Sequence, residues 1–338
     1  MHSDTPGNWQ LVWPHGTACI KALGGMLGPV YFRLSEERHF QPFYVAPWAC
    51  DPALPGLLRS MRGEWPCVPF SRVETPTELA PGWTIHRPED PAYQQIHGPG
   101  ANQEWQLLER DANRIVLGID YPADSAIASL RREIKADPHS PALEISLRIL
   151  PRAATIMPVA LHPTFRVPKE VGSLSLRPGT FARAVTFPMP FEPSSQLAHS
   201  KLAHDLAALP GLNGGTHDFS HLPMAQPCEE LLQLVDCDGE FALHYQQENV
   251  VVTLNWDASQ LPDAVLWISN GGRDQAPWLG RNFALGIEPV NGVFELGGVV
   301  RPPAGHPLAG RGLQLHAGKP VTLQYRISVA AGPGQSDT

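Results

Sequence analysis

Leu143, Ile145, Leu147 and Ile149 alternate with Glu144, Ser146 and Arg148, and Val321, Leu323, Tyr325, Ile327 and Val329 repeat the pattern late in the chain. An apolar period of two puts one set of side chains on one face of an extended strand, so these segments predict a sheet with one buried side. The sequence is interrupted by 36 prolines among 338 residues, about twice the usual share. Proline removes a backbone donor and collides with the preceding helical turn, so this density argues against a helical protein and suits many short strands joined by turns. The expected fold class is all-β. A single large antiparallel β-sandwich covers residues 1–338, with few short helices and a mobile C-terminal tail from about Gly332.

Further strands are expected at 9–12, 30–34, 43–48, 105–108, 114–119, 231–235, 241–245, 250–256 and 264–269. Hairpin turns fall at Asp111-Ala112-Asn113, Asp238-Gly239 and Gln247-Glu248-Asn249. The run 126–134 scores as strand or helix. Its hairpin partner at 143–149, across Asp137-Pro138-His139-Ser140-Pro141, favours strand. Serines at the start of 194–207 predict a short helix there. Within 57–70, Pro66 and Pro69 flank the apolar pair Cys67-Val68, so this segment reads as a fixed extended loop, and 211–227 as a long loop carrying His217 and His221.

The formal net charge is -8, and no lysine or arginine cluster suited to tracking phosphates is visible, so nucleic acid is not expected as a partner. Apolar runs are cut by Pro, His or Arg before membrane-spanning length, so no membrane association is expected. Met1-His2-Ser3-Asp4-Thr5 lacks the basic-then-apolar order of a secretory signal. Cys19, Cys50, Cys67, Cys228 and Cys237 are scattered without C-x-x-C spacing and read as reduced thiols, so a cytoplasmic location is expected. There is no Rossmann or P-loop glycine motif, no HExxH and no G-x-S-x-G elbow, and neither cofactor nor metal is expected.

The stretch Asn282-Phe283-Ala284-Leu285-Gly286-Ile287-Glu288-Pro289-Val290 reads as an apolar strand with a carboxylate at its far end, stopped by proline. Glu288 there is either a water-exposed strand end or a partly desolvated general base, since burial raises a carboxyl pKa. His162, between an apolar strand and Pro163, has the same placement. His97 precedes Gly98-Pro99-Gly100 in a tight turn that fixes its direction. Arg62 beside Gly63 is either a solvated surface arginine or one brought close to a ligand. Trp267 and Trp278 place two aromatics close to the Asn270-Gly271-Gly272 loop.

Arg62-Gly63 with Trp65-Pro66 and Pro69-Phe70, His97-Gly98 followed by Trp105, Met157-Pro158 leading to Leu161-His162-Pro163 and Phe165, and Gly286-Ile287-Glu288 occur in an order that resembles the galactose-mutarotase-like superfamily, from about residue 20 to residue 330. The resemblance implies a β-sandwich with a sugar cleft on its concave face, acting on a monosaccharide or sugar phosphate as a monomer or homodimer. It also implies Glu288 as general base, His162 as general acid, His97 as a second active-site histidine and Arg62 as a sugar contact. Two departures stand out. Pro99-Gly100-Ala101-Asn102 replaces the superfamily's basic residue after the His-Gly pair, and its sugar-binding aspartate has only Glu229 or Glu230 as a counterpart, with Glu230 the expected sugar contact. The activity so implied is aldose 1-epimerase-like isomerisation. A non-catalytic carbohydrate-binding protein, a hexose-6-phosphate 1-epimerase and a metal-dependent cupin-like enzyme are the alternatives.

Overall fold

The computed structural model describes residues 7–49 and 51–333. Two antiparallel sheets form the body. The larger has nine strands and is centred on Val321–Ala331, which lies between Val250–Trp256 and Ala142–Pro151. Its register sets Ile145 opposite Tyr325 and Leu147 opposite Leu323. Leu143, Ile145, Leu147 and Ile149 are all buried while Glu144 and Arg148 face water, so the period-two pattern is realised as one wet and one dry face.

The smaller sheet runs in the order Leu202–Ala203, Arg183–Thr186, Cys228–Val235, Asp263–Asn270, Phe283–Asn291, Val159–Leu161 and Pro66–Cys67. Cys228–Val235 and Asp263–Asn270 are buried at every position. These strands are covered on both sides, and alternation sorts their residues between two apolar clusters. Leu232, Leu266, Ile268, Leu285 and Ile287 fill the core between the sheets. Leu231, Val265, Trp267, Ala284 and Val290 belong to a second cluster on the outer, concave face. Each such side chain contributes roughly 1.5–3 kcal/mol by leaving water. The core between the sheets also holds an ion pair: Arg132 lies on the same strand face as Leu130 and Ile134 and is matched by the buried Glu64 carboxylate.

Several local expectations change. Residues 194–207 form no α-helix. Ala198 N donates to Pro210 O, and the Ala198 and Lys201 carbonyls accept from Thr186 Oγ1 and Thr186 N, so neighbouring elements take the groups a helix would need, while the amides of Gln196 and Leu197 donate to the Glu230 carboxylate. What remains helical is the 3-10 turn Leu206–Ala208, whose Ala207 amide is capped by Asp205. The expected strand at 43–48 is reduced to isolated bridges at Phe43 and Val45. The loop at 57–70 contains one helical turn, Gly56–Ser60, and the short strand Pro66–Cys67. No helix among the described residues is long and apolar enough to cross a membrane. Cys19, Cys67, Cys228 and Cys237 are free thiols. Cys50 and most of the expected mobile tail lie outside the described residues.

Candidate active site

On Phe283–Asn291 the outward positions are Ala284, Gly286, Glu288 and Val290. Glu288 does not end the strand as its sequence context suggested. The strand continues to Asn291, with Pro289 paired against Ala264. The proline is tolerated because the neighbouring chain is interrupted opposite it. Val159–Leu161 pairs with Val290 and Asn291, Thr164–Arg166 pairs with Ala284 to Gly286, and His162-Pro163 bridges the gap. That gap is also what projects His162 onto the concave face. Gly286 supplies the space: a Cβ there would sit 2.5 Å from Glu288 Oε1 and 3.2 Å from Trp267 Cβ.

His162 Nε2 lies 3.1 Å from Glu288 Oε1, and both side chains are almost wholly buried. His162 Nδ1 is 3.0 Å from Thr164 Oγ1, while that hydroxyl is 3.4 Å from the His162 carbonyl. With its one proton donated to the carbonyl, Thr164 accepts from Nδ1–H, which leaves Nε2 bare toward Glu288. Burial raises the Glu288 pKa well above the usual carboxylate value, and the nearby Glu295 charge adds to it. Burial likewise lowers His162 well below the usual imidazole value, helped by His97. Both effects favour a neutral carboxylic acid hydrogen-bonded to a neutral imidazole.

His97 completes the floor. Its backbone is left-handed at φ 59, followed by Gly98 at φ 78, where a side chain would strike the Val68 carbonyl. The His97 ring stacks on Phe70 at 5.0 Å between centroids and lies 5.5 Å from His162. Burial lowers its pKa to about 4. These groups open into a cavity of about 360 Å³ that is also lined by Trp65, Leu231, Trp267, Trp278, Arg273 and Glu295.

Of the residues singled out in the sequence, the cavity thus gathers Glu288, His162, His97, Trp267 and Trp278. Arg62 and Glu230 lie elsewhere. Arg62 is buried, its Nε donates to Ser60 O, and it is not among the residues that line the cavity. Glu230 shares a strand face with Leu232 and points into the core between the sheets. Alternation instead puts Glu229 on the concave side with Leu231. There it accepts from Ser269 Oγ at 2.6 Å and lies 3.9 Å from Arg273.

Two charged groups of the cavity, Arg273 and Glu295, carry no signal in the local sequence. Arg273, just past Gly271-Gly272, pairs with Glu192 at 2.7 Å and lies over the Trp278 ring at 4.5 Å. Glu295, in the 3-10 turn Phe294–Leu296, is held by a guanidinium fork from Arg72, and this pairing keeps it below the usual carboxylate range despite burial. Among the described residues no group of three or more His, Cys, Asp or Glu side chains is placed to hold a metal ion.

Comparison with solved structures gives the fold directly. A galactose mutarotase-like protein from Lactobacillus casei superposes with a TM-score of 0.62 at 13% identity, over 96% of this chain and all (100%) of that one. A homologue of aldose epimerases from C. elegans gives 0.61 at 11% identity, over 97% and 99% of the two chains. A galactose mutarotase related enzyme from Lactobacillus acidophilus gives 0.58 at 14%, over 96% and 98%. The chain has the galactose-mutarotase-like fold, and the matches extend over nearly its whole length. No family model matches it, and no curated protein matches it by sequence.

Proposed function

We propose that the protein is an aldose 1-epimerase-like isomerase, interconverting sugar anomers at the Glu288–His162 pair. The observation that carries this reading is the 3.1 Å contact of a carboxyl and an imidazole on the floor of a largely apolar cavity. The two oxygens that exchange protons in mutarotation, O1 and the ring oxygen, are both bonded to C1. An acid and a base in mutual contact therefore have the right spacing to serve them.

The step balances with one shared proton. The basic member takes the O1 proton, the C1–O5 bond breaks as C1=O forms, and the acidic member delivers a proton to O5. Rotation about C1–C2 and the reverse transfers close the ring on the other face. With the pair neutral, His162 Nε2 is the base and the Glu288 carboxyl the acid. With the proton moved onto His162 the roles exchange, and the total proton count is the same. This modifies the fixed assignment of Glu288 as base and His162 as acid: each serves in both capacities. Positioned proton transfer of this kind contributes roughly 10²–10⁴-fold per group.

Saturation-transfer NMR between anomeric resonances of free aldoses tests the proposal. Exchange above the buffer rate that disappears in Glu288→Gln supports it. Exchange at the buffer rate for all aldoses that bind moves the protein to the non-catalytic binding class.

A further inference from the structure

If the Glu288–His162 pair opens sugar rings, as proposed above, O1 and the ring oxygen lie on that pair. The C3–C4 bond stands across a pyranose from the bond between the ring oxygen and C1. The hydroxyls on C3 and C4 therefore point away from the pair, and another group of the cavity has to meet them.

Two strands set the direction in which that group lies. On the concave side of Asp263–Asn270 and Phe283–Asn291, Val265 is opposite Glu288, Trp267 opposite Gly286 and Ser269 opposite Ala284. Glu288 Oε1 lies over Gly286, so the carboxyl leans along this row toward the end of the first strand at Asn270. Arg273 follows just past that end. One indole borders both groups: the His162 ring centre is 6.2 Å from that of Trp267, and Arg273 Cζ lies over the same ring at 5.9 Å.

Arg273 is held on its inner edge and open on its outer one. Nε donates to Glu192 Oε1 at 2.7 Å, which also balances the charge. Nη1 and Nη2 donate to none of the described residues, and neither is sealed from solvent. Cζ lies over the rings of Trp278 at 4.5 Å and Phe191 at 5.2 Å. Both rings line the cavity, as do Trp267 and Arg273 itself. The aromatic faces hold the guanidinium in the cavity wall, and the Nη edge is what it has left to offer. A guanidinium donates through two parallel N–H groups. Hydroxyls on neighbouring ring carbons are spaced to accept both.

We propose that Arg273 is the sugar-binding arginine of this site, its Nη edge donating to the C3 and C4 hydroxyls of an aldopyranose whose O1 and ring oxygen lie on the Glu288–His162 pair. Glu192 is its positioning residue, and the substrate is an aldose with both of those hydroxyls free.

The test compares glucose and galactose with their 2-deoxy, 3-deoxy and 4-deoxy forms, the last being common to both. Binding is read by saturation-transfer difference NMR and turnover by anomer exchange. In the unmodified protein, loss of O3 or O4 should weaken binding and lower kcat/KM about tenfold, and loss of O2 should matter less. Arg273→Lys keeps the charge without the fork, and Arg273→Met keeps neither. In both variants the parent sugar should bind about tenfold more weakly, and the penalty for losing O3 or O4 should largely disappear. An arginine that only supported its loop would weaken parent and deoxy sugars alike and leave the penalty in place. Equal binding of parent, 3-deoxy and 4-deoxy sugars by the unmodified protein overturns the proposal without any variant, and so does a penalty that survives in folded Arg273→Met. The expected binding pattern with exchange at the buffer rate leaves the Arg273 contact standing and removes the catalytic reading. Absence of binding for all of these sugars removes both.

Discussion

The Trp65 indole lies on the His162 imidazole with 4.1 Å between ring centroids and 23° between planes. Phe70, His97 and Trp267 meet the same imidazole edge-on. The ring is therefore held on several sides, and its Nε2 has one direction available, toward Glu288. Trp65→Ala should lower kcat by more than it changes KM, because the imidazole is freed to rotate, and should cost about 3–5 kcal/mol of stability in urea unfolding. Trp65→Phe keeps an aromatic face and should recover most of kcat. An unchanged kcat in folded Trp65→Ala would remove the positioning role.

Activity should follow the proton count of the Glu288–His162 pair. Under the proposed mechanism the pair works with one proton. Acid adds a second on His162, whose pKa is depressed by burial, and alkali removes the one on Glu288, whose pKa is raised by burial. The pH–rate profile should be a broad bell, its acid limb below the usual histidine range and its alkaline limb above the usual carboxylate range. Glu288→Gln and His162→Asn should each lower turnover by at least about a hundredfold. The double variant should lose much less than the product of the two, since the pair acts as a unit. Full activity in Glu288→Gln would sink the mechanism.

Under the proposed mechanism Glu295 should set where the alkaline limb falls. Its ionised carboxylate, kept charged by Arg72, opposes ionisation of Glu288. Glu295→Gln removes that negative charge and leaves Arg72 uncompensated nearby, and both changes favour ionised Glu288. The alkaline limb of the rate profile should move to lower pH. A limb that stays in place or moves upward would separate Glu295 from the pair.

The strands were legible wherever one face is wet, because the buried face then imposes a period of two, as in Ala142–Pro151 and Val321–Ala331. Where both faces are covered the period does not say which face is which. Glu229 and Glu230 are adjacent in a strand buried throughout, and only the packing of Leu231 and Leu232 shows which of them lies on the concave side. The Leu161-His162-Pro163 and Glu288-Pro289 pieces were visible as proline-marked irregularities in apolar runs, although Pro289 proved to lie inside its strand. Arg273 and Glu295 carried no local signal. Their importance comes from partners far along the chain, Glu192 and Arg72, that no spacing rule connects. The helix expected at 194–207 gave way because Ala198 N and the Ala198 and Lys201 carbonyls, which a helix would use internally, pair with Pro210 and Thr186 outside the segment.

Arg62 was expected to touch the sugar, so that its loss would weaken binding and spare folding. The structure reverses this expectation. Arg62 is 6% exposed and its Nε donates to Ser60 O at 2.8 Å, next to the turn that supplies Leu57 and Leu58 to the cavity. Arg62→Ala leaves that carbonyl short of a donor and removes buried packing, which should cost about 1–3 kcal/mol. Urea unfolding should report the loss, while KM for sugars of the folded protein changes little. Intact stability with lost binding would restore the original assignment.

Glu230 gives stability a pH dependence that can be isolated. Burial raises its pKa from 4.5 to about 7, against the opposing bonds from the Gln196 and Leu197 amides. Between those values the folded chain holds a proton that the unfolded chain has released, so this group's contribution to stability declines as pH rises from about 4.5 through about 7, then levels off. Glu229, raised to about 7 for the same main reason, acts in the same direction. Glu230→Gln keeps an oxygen to accept from both amides and removes one of the two titrations. Its Tm relative to the unmodified protein should therefore become more favourable as pH rises from roughly 5 to roughly 8. Melting curves of both proteins across that window decide the matter. A Tm difference that does not vary with pH would mean that Glu230 is already ionised in the folded chain.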